Sequence, residues 1–299
     1  MFESFTSHTI PVGNGIEIAA VKGGSGPPLL LLHGYPQTRA CWRKIAAPLA
    51  ERFTVVAADL RGYGQSSKPP GGADHAAYAK RAMAADQVAL MRALGFERFR
   101  LVGHDRGGRV AHRLALDHQS AVERLAVLDI APTATMYAAT DREFATAYYH
   151  WFFLIQPADF PERMIANNTH YYIRHTLASW CRTDGAFDEP VLRHYVESFF
   201  DPMAIHAACE DYRAAATIDL EHDRADRAAG RRLTQPLQVL WGERGIIARC
   251  FDALAEWRRV ADDVRGGPLP CGHYIPEEAP QSLLDAALPF LRQGAIESA

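Results

Sequence analysis

Residues 102–108 read Val102-Gly103-His104-Asp105-Arg106-Gly107-Gly108. An apolar run, Phe99 to Val102, leads into this stretch, and a helical pattern, RVAHRLALDH, leads out of it. The arrangement is G-x-Nu-x-G with aspartate at the centre, a sharp strand-to-helix turn that presents one side chain at its apex. Small flanking residues let the backbone approach itself closely in such a strained turn. The turn also aims the next backbone N–H at the reacting centre. A plainer reading makes Asp105 the N-cap of an ordinary helix, and the rest of the chain has to decide between them.

Outward from this turn, four more apolar runs stand out. Leu29 to Leu32 follows Gly-Pro-Pro and ends at His33-Gly34; Phe53 to Ala58 ends at Asp59; Leu125 to Ile130 is the next; and Leu237 to Trp241 ends at Gly242. Continuous apolar runs of this length suit strands buried on both faces of a parallel sheet. Between them, Met83 to Leu94 carries helical periodicity and stops at Gly95. Alternation of this kind predicts an α/β fold with a mostly parallel central sheet. Residues 133–228 differ: they are rich in Tyr, Trp, Phe and His, lack a clear buried strand, and look helical with proline breaks. The expected organisation is therefore a core in two parts, 1–132 and 229–299, with an inserted helical cap at 133–228.

Composition narrows the classes. The 299 residues are 48% hydrophobic and 22% charged with a formal net charge of -3, so no strong field recruits nucleic acid or anionic lipid. The five cysteines are odd in number and lack C-x-x-C spacing, which argues against a disulfide framework or a zinc site. The N-terminal residues carry no charged-then-apolar signal pattern and no apolar run is long enough to span a membrane, so a cytoplasmic location is expected. No metal and no cofactor is implied.

The chemistry gathers at three further places. His33-Gly34-Tyr35-Pro36 follows the Leu29–Leu32 run, where an α/β-hydrolase supplies its second oxyanion-hole N–H; Tyr35 would donate it. Cys271-Gly272-His273 precedes the last helix, the place of the catalytic histidine in that fold. The acid usually follows the strand ending Trp241-Gly242, but Glu243-Arg244-Gly245 puts glycine where aspartate is expected. Asp129, inside the Leu125–Ile130 run, is a buried carboxylate in need of a partner, and it is assigned to orient His273. Glu243 is the fallback. A carboxylate nucleophile is already ionised and needs no base for its first attack. It displaces a leaving group from an sp³ carbon and becomes an ester, which a His273-activated water then hydrolyses. Carbon–halogen bonds and epoxides are the natural targets.

With these residues in view, the chain resembles the fluoroacetate (haloacetate) dehalogenases of the α/β-hydrolase superfamily over nearly its whole length. The carriers are HGYPQTRACWRK, DLRGYGQSSKP, GHDRGGRVAHRLALDH, VLDIAPT, HWFFLIQP, EDYRAAATIDLEHD, LWGERGIIARCFD and CGHYIPEEAP. The resemblance implies Asp105 as nucleophile, Asp129 as acid and His273 as base. It implies Arg106 and Arg109 as the grip on a substrate carboxylate, and His150, Trp151 and Tyr212 as a halide pocket. A small haloacid substrate, a halide product and a homodimer are implied as well, with the choice among fluoroacetate, chloroacetate, bromoacetate and larger 2-haloacids left open. Tyr35 stands where many relatives carry phenylalanine.

Two rivals remain at this level. An epoxide hydrolase would use two tyrosines of the inserted region to protonate the epoxide oxygen, and that region has many; Arg106 and Arg109 argue against it, because an epoxide offers them no carboxylate. A non-catalytic receptor built on the same fold is disfavoured by the presence of Asp105, Asp129 and His273 together. Each aromatic of the halide set, taken alone, could equally be packing, and Arg109 alone could be a first-turn surface arginine.

Overall fold

The computed structural model describes residues 1–293. Eight strands form one sheet: β1 (Thr6–Gly13), β2 (Ile16–Gly23), β3 (Pro28–Leu32), β4 (Thr54–Ala58), β5 (Phe99–His104), β6 (Val122–Leu128), β7 (Leu237–Gly242) and β8 (Val264–Leu269). Their spatial order is β1-β2-β4-β3-β5-β6-β7-β8. The pairs β1/β2 and β2/β4 are antiparallel, and every other neighbour is parallel.

The four leucines of β3 show why the apolar runs are continuous. Leu30 and Leu32 point into one core and Leu29 and Leu31 into the other, all fully buried. In β4, Val56 and Ala58 join the first core, Val55 and Ala57 the second. Successive side chains of a strand face opposite sides, so a sheet covered on both faces needs apolar residues at every position. Each buried leucine contributes about 1.5–3 kcal/mol. The helix Arg106–Asp117 covers the first face through Val110, Ala111, Leu114 and Ala115. The helix Pro280–Arg292 covers the second through Leu283, Leu284, Ala287 and Leu291.

The apolar runs lie where the sequence places strands, apart from shifts of one to three residues at their ends. Residues 6–23 hold a hairpin that the apolar pattern does not announce: β1 is largely exposed, and its partner β2 carries the buried positions. The strand β8, VRGGPL, is likewise too polar and glycine-rich to read as a strand. Between β6 and β7, residues 133–228 fold into a series of short helices.

The parallel strands deliver their following residues to one edge. Tyr35 comes after β3, Asp105 after β5, Asp129 after β6, Gly245 after β7 and His273 after β8. Ligands of open α/β sheets bind beyond the carboxyl ends of the strands. Here the inserted helices lie over that edge, as the contacts of His273 with Trp180 and of Arg106 with Asp211 demonstrate.

Candidate active site

The turn at Asp105 is strained. Its backbone sits at φ 48°, ψ -115°, a region that residues with a side chain rarely adopt. The close approach within the turn depends on Gly103, where a Cβ would lie 2.5 Å from the carbonyl oxygen of Gly107. The apex side chain is buried, and its Oδ1 accepts a 2.8 Å hydrogen bond from the Tyr35 backbone N–H. Burial opposes the charge of Asp105, but His273, His104, Arg106 and Arg109 outweigh it and hold the carboxyl below its ordinary pKa. The group that the sequence reads as a nucleophile is thus a carboxylate at neutral pH. The Tyr35 hydroxyl turns to the inserted region, donating to Tyr172 Oη at 3.4 Å, so it is the backbone of Tyr35 that meets Asp105.

His273 and Asp129 form a buried pair, Nδ1 to Oδ2, at 2.6 Å. Asp129 lies one residue past β6 at φ 52°, and its other oxygen accepts from the Gly242 backbone N–H at 2.9 Å. Glycine at position 245 now has a reason. A Cβ there would point to Asp129 Oδ1 at 3.3 Å, so the carboxylate from β6 occupies the space that an acid after β7 would reach into. Glu243, the fallback acid, is exposed and lies outside this pair. Burial disfavours the imidazolium of His273, yet the hydrogen bond and charge of Asp129, with Asp105 and Glu278, raise its pKa above the ordinary value. Its Nε2 is buried and has no protein partner. A cleft of about 250 Å³ reaches His273 between the inserted helices and the core, lined among others by Tyr148, Trp180, Arg182, Ile246 and Arg249. A larger surface groove of about 720 Å³, beside Tyr171, Arg174 and Phe187, contains none of the candidate residues.

The two arginines are both buried, but they differ in charge balance. Arg106 is held by Asp211 through Nε to Oδ2 at 2.9 Å and Nη2 to Oδ1 at 2.7 Å, with a third bond to the Asp211 carbonyl at 2.8 Å. Its Nη1 is left without a partner. Arg109 donates to the Ala131 carbonyl at 3.1 Å and to Thr133 Oγ1 at 2.9 Å, and lies against Met136 Sδ. It has no carboxylate partner among the described residues, and its Nε is unpaired. Burial and the neighbouring charge of Arg106 lower its pKa. The surface reading of Arg109 is overturned: this is a guanidinium inside the protein, one turn from Asp105, whose charge it feels, with no carboxylate at salt-bridge distance among the described residues.

Trp151 and Tyr212 are buried against these arginines, and His150 is buried beside Tyr212. The Arg106 guanidinium stacks over the Tyr212 ring at 4.1 Å, and that of Arg109 over Trp151 at 4.7 Å. The rings of His150 and Tyr212 lie 5.4 Å apart, those of Trp151 and Tyr212 6.3 Å. His150 Nδ1 and the Tyr212 hydroxyl are buried without partners. Burial pushes the His150 pKa well below the ordinary value, so the ring is neutral.

The chain matches the family model of the alpha/beta hydrolase fold over residues 27–280. It is 48% identical over 293 residues to a fluoroacetate dehalogenase from Burkholderia sp., covering 97% of this chain and 95% of that protein. The chain belongs to the fluoroacetate (haloacetate) dehalogenase family of α/β hydrolases. A soluble epoxide hydrolase from Corynebacterium sp. is 36% identical, covering 97% of this chain and 98% of that protein. Among solved structures, an alpha/beta hydrolase from Nostoc sp. superposes with a TM-score of 0.95 at 56% identity, covering 98% of this chain and all of that one. The protein is a hydrolase.

Reading the sequence for this family brings nine residues to one place, but several groups that hold them escape it. Asp211 and Lys80 are the main ones. Lys80 pairs with Asp211 and with Asp219, and the Tyr63 hydroxyl donates to Asp211 Oδ2 at 2.7 Å. Lysine is rarely buried, and the signal for Lys80 exists only once the facing acids are known. Asp211 had one sequence cue, its place beside Tyr212 in EDYR.

Proposed function

We propose that the enzyme hydrolyses the carbon–halogen bond of haloacetates, converting fluoroacetate to glycolate and fluoride, with chloroacetate and bromoacetate as further substrates. The observation that carries this reading is the buried Arg109 guanidinium, with no salt-bridge partner among the described residues, beside the Asp105 carboxylate. An unpaired buried charge is costly, and a small carboxylate in the pocket would neutralise it. Arg106 Nη1 and Arg109 Nε are the free donors that would bind it. Held there, the α-carbon of a two-carbon acid faces Asp105, and positioning of this kind supplies much of the rate.

The reaction runs in two steps. Asp105 Oδ2 attacks the α-carbon as the carbon–halogen bond breaks with its electrons passing to the halide, while Oδ1 keeps its bond to Tyr35 N–H. Fluoride is a poor, strongly hydrated leaving group, so fixed donors have to replace its water. His150, Trp151 and Tyr212 supply them. Water then attacks the ester carbon of Asp105 and gives its proton to His273 Nε2. Asp129 stabilises the imidazolium, and collapse of the tetrahedral intermediate releases glycolate.

Residues 133–228 serve as a cap over the two-part core, 1–132 and 229–299. A cytoplasmic homodimer belongs to this reading because the family resemblance implies it. No helix among the described residues is long and apolar enough to cross a membrane.

Ion-selective detection of free halide tests the reading, with purified protein mixed with fluoroacetate and with chloroacetate. Fluoride release that disappears in Asp105→Ala supports it. If neither ion is released, the haloacetate assignment falls. A second reading is favoured by the 36% identity to an epoxide hydrolase and by the unpartnered Tyr212 hydroxyl, which could protonate an epoxide oxygen. Diol formation from an epoxide panel with no halide release would establish that alternative.

A further inference from the structure

Tyr148 lies in the inserted region, just after the helix Arg142–Ala147. Its hydroxyl oxygen is 3.2 Å from His273 Nδ1, the nitrogen whose proton Asp129 Oδ2 accepts at 2.6 Å. We propose that Tyr148 is a positioning residue for His273, its phenolic oxygen acting as the second acceptor of the Nδ1 proton during ester hydrolysis. This rests on the two-step reading above.

The geometry makes the role specific. One strong bond to Asp129 fixes the Nδ1 position, while the rings of His104, Tyr274 and Trp180 at 4.7, 4.9 and 5.5 Å hold the imidazole by packing, which has no directional bond to set its tilt about that line. A second acceptor off the line defines the ring plane and therefore where Nε2 points. Three-centre hydrogen bonds of this kind, one short and one long branch, are common. Tyr148 can define a plane because it is itself fixed: it is buried, and its ring is packed by Phe144 at 5.5 Å, His150 at 5.2 Å and Trp180 at 5.5 Å. It meets the His273 ring edge-on, at 6.1 Å and 79°.

A second contact brings the inserted region against the same loop. The His273 backbone N–H donates to the Trp180 carbonyl at 3.2 Å. That approach requires glycine at 272, where a Cβ would lie 2.7 Å from the same carbonyl oxygen. The inserted region thus grips the base by its main chain through Trp180 and by its side chain through Tyr148.

The chemistry separates this role from general support. Alkylation of Asp105 breaks the carbon–halogen bond and forms the ester without any proton transfer, so the plane of His273 does not matter to it. Hydrolysis forms a bond from water oxygen to the ester carbon and moves the water proton to Nε2. The intermediate then collapses by breaking the bond to the glycolate oxygen, which recovers that proton. During this passage His273 is a cation, and both Nδ1 acceptors hold it.

Rapid-quench kinetics on the intact enzyme with chloroacetate read the two steps separately, halide release for the first and the mass of the Asp105 peptide for the second. Tyr148→Phe is expected to leave the halide burst within about twofold and to lengthen the ester lifetime roughly 3- to 10-fold, the scale of one hydrogen bond. An unchanged ester lifetime, or equal slowing of both steps, overturns the role. If Tyr148→Phe fails to fold, a fluorinated tyrosine placed at 148 weakens the phenolic oxygen as an acceptor at nearly unchanged shape and is read by the same lifetimes. His273→Asn controls the underlying mechanism: if it accumulates no ester while substrate binds, the two-step reading has failed; if it does and Tyr148→Phe behaves as the parent enzyme, the positioning role alone has failed.

Discussion

Asp105 Oδ1 rests 2.8 Å from the backbone nitrogen of Tyr35, so in the proposed reaction one oxygen of the carboxylate is already in place to become the carbonyl oxygen of the ester. Only Oδ2 has to move onto the substrate. On that reading the ester would form with its carbonyl already polarised by the Tyr35 N–H. In a single turnover run in ¹⁸O-water with enzyme in excess, the label should enter Asp105, and the glycolate hydroxyl should carry oxygen from the protein. Label in the first glycolate formed would mean direct attack by water. Asp105→Ala should lose turnover by on the order of 10³-fold or more.

The two arginines should part company when stability and activity are measured together. Replacing either by leucine should reduce kcat/KM for chloroacetate on the order of 10²-fold, since each removes a donor to a desolvated carboxylate. Arg106→Leu strips Asp211 of its paired guanidinium and should destabilise the fold by about 3 kcal/mol in urea unfolding. Arg109→Leu removes a buried charge that has no salt-bridge partner among the described residues and should leave stability unchanged or higher. Equal losses of stability would contradict the charge balance described for them.

His273 sets the pH response. Its pKa in the folded enzyme is above the ordinary imidazole value because Asp129, with Asp105 and Glu278, overcomes the effect of burial. The base must be neutral to take a proton from water, so ester hydrolysis should rise with pH through that elevated value. Asp129→Asn keeps an acceptor but loses the charge; the midpoint should move down and the plateau fall roughly 10²- to 10⁴-fold. A midpoint that stays fixed would remove Asp129 from the role. Folding stability carries the same signature with the opposite slope. A histidine that binds its proton more tightly when folded stabilises the fold fully below the unfolded pKa, and that contribution fades as pH rises through the folded value. The slope should flatten in Asp129→Asn.

Tyr212 tests the halide pocket. Its hydroxyl is buried and unpartnered, ready to donate to a leaving anion. Fluoride depends more on such donors than chloride does, so Tyr212→Phe should slow fluoroacetate turnover about 10-fold more than chloroacetate turnover. Equal slowing would make Tyr212 a general packing residue. Thermal unfolding of the variant checks that the loss is not one of folding.

Much of this arrangement is legible in the chain because strand burial and turn chemistry are local. The leucines of β3 announce a two-sided sheet, and Gly103 and Gly107 announce the turn that carries Asp105. Asp129 is legible by contradiction: a carboxylate in an apolar run, and Gly245 where an acid was expected. The exposed β1 and the glycine-rich β8 are not legible, since their pairing is decided by neighbours far away in sequence. Asp211, Lys80 and Tyr148 act only through partners on other elements, at separations of 105, 131 and 125 residues. Arg109 belongs between these cases. The motif places it, but its burial without a salt-bridge partner among the described residues, which makes it informative, exists only in three dimensions.

The ownership of Asp211 bears on how the inserted helices are held. The acid that steadies Arg106 belongs to the inserted helix Pro202–Ala216, whereas Arg106 and Lys80 belong to the sheet side. If the inserted helices swung away, Arg106 and Lys80 would each lose this counter-charge together, at a cost of several kcal/mol. The pairs Arg106–Asp211 and Lys80–Asp211 in effect rivet the inserted helices to the sheet side.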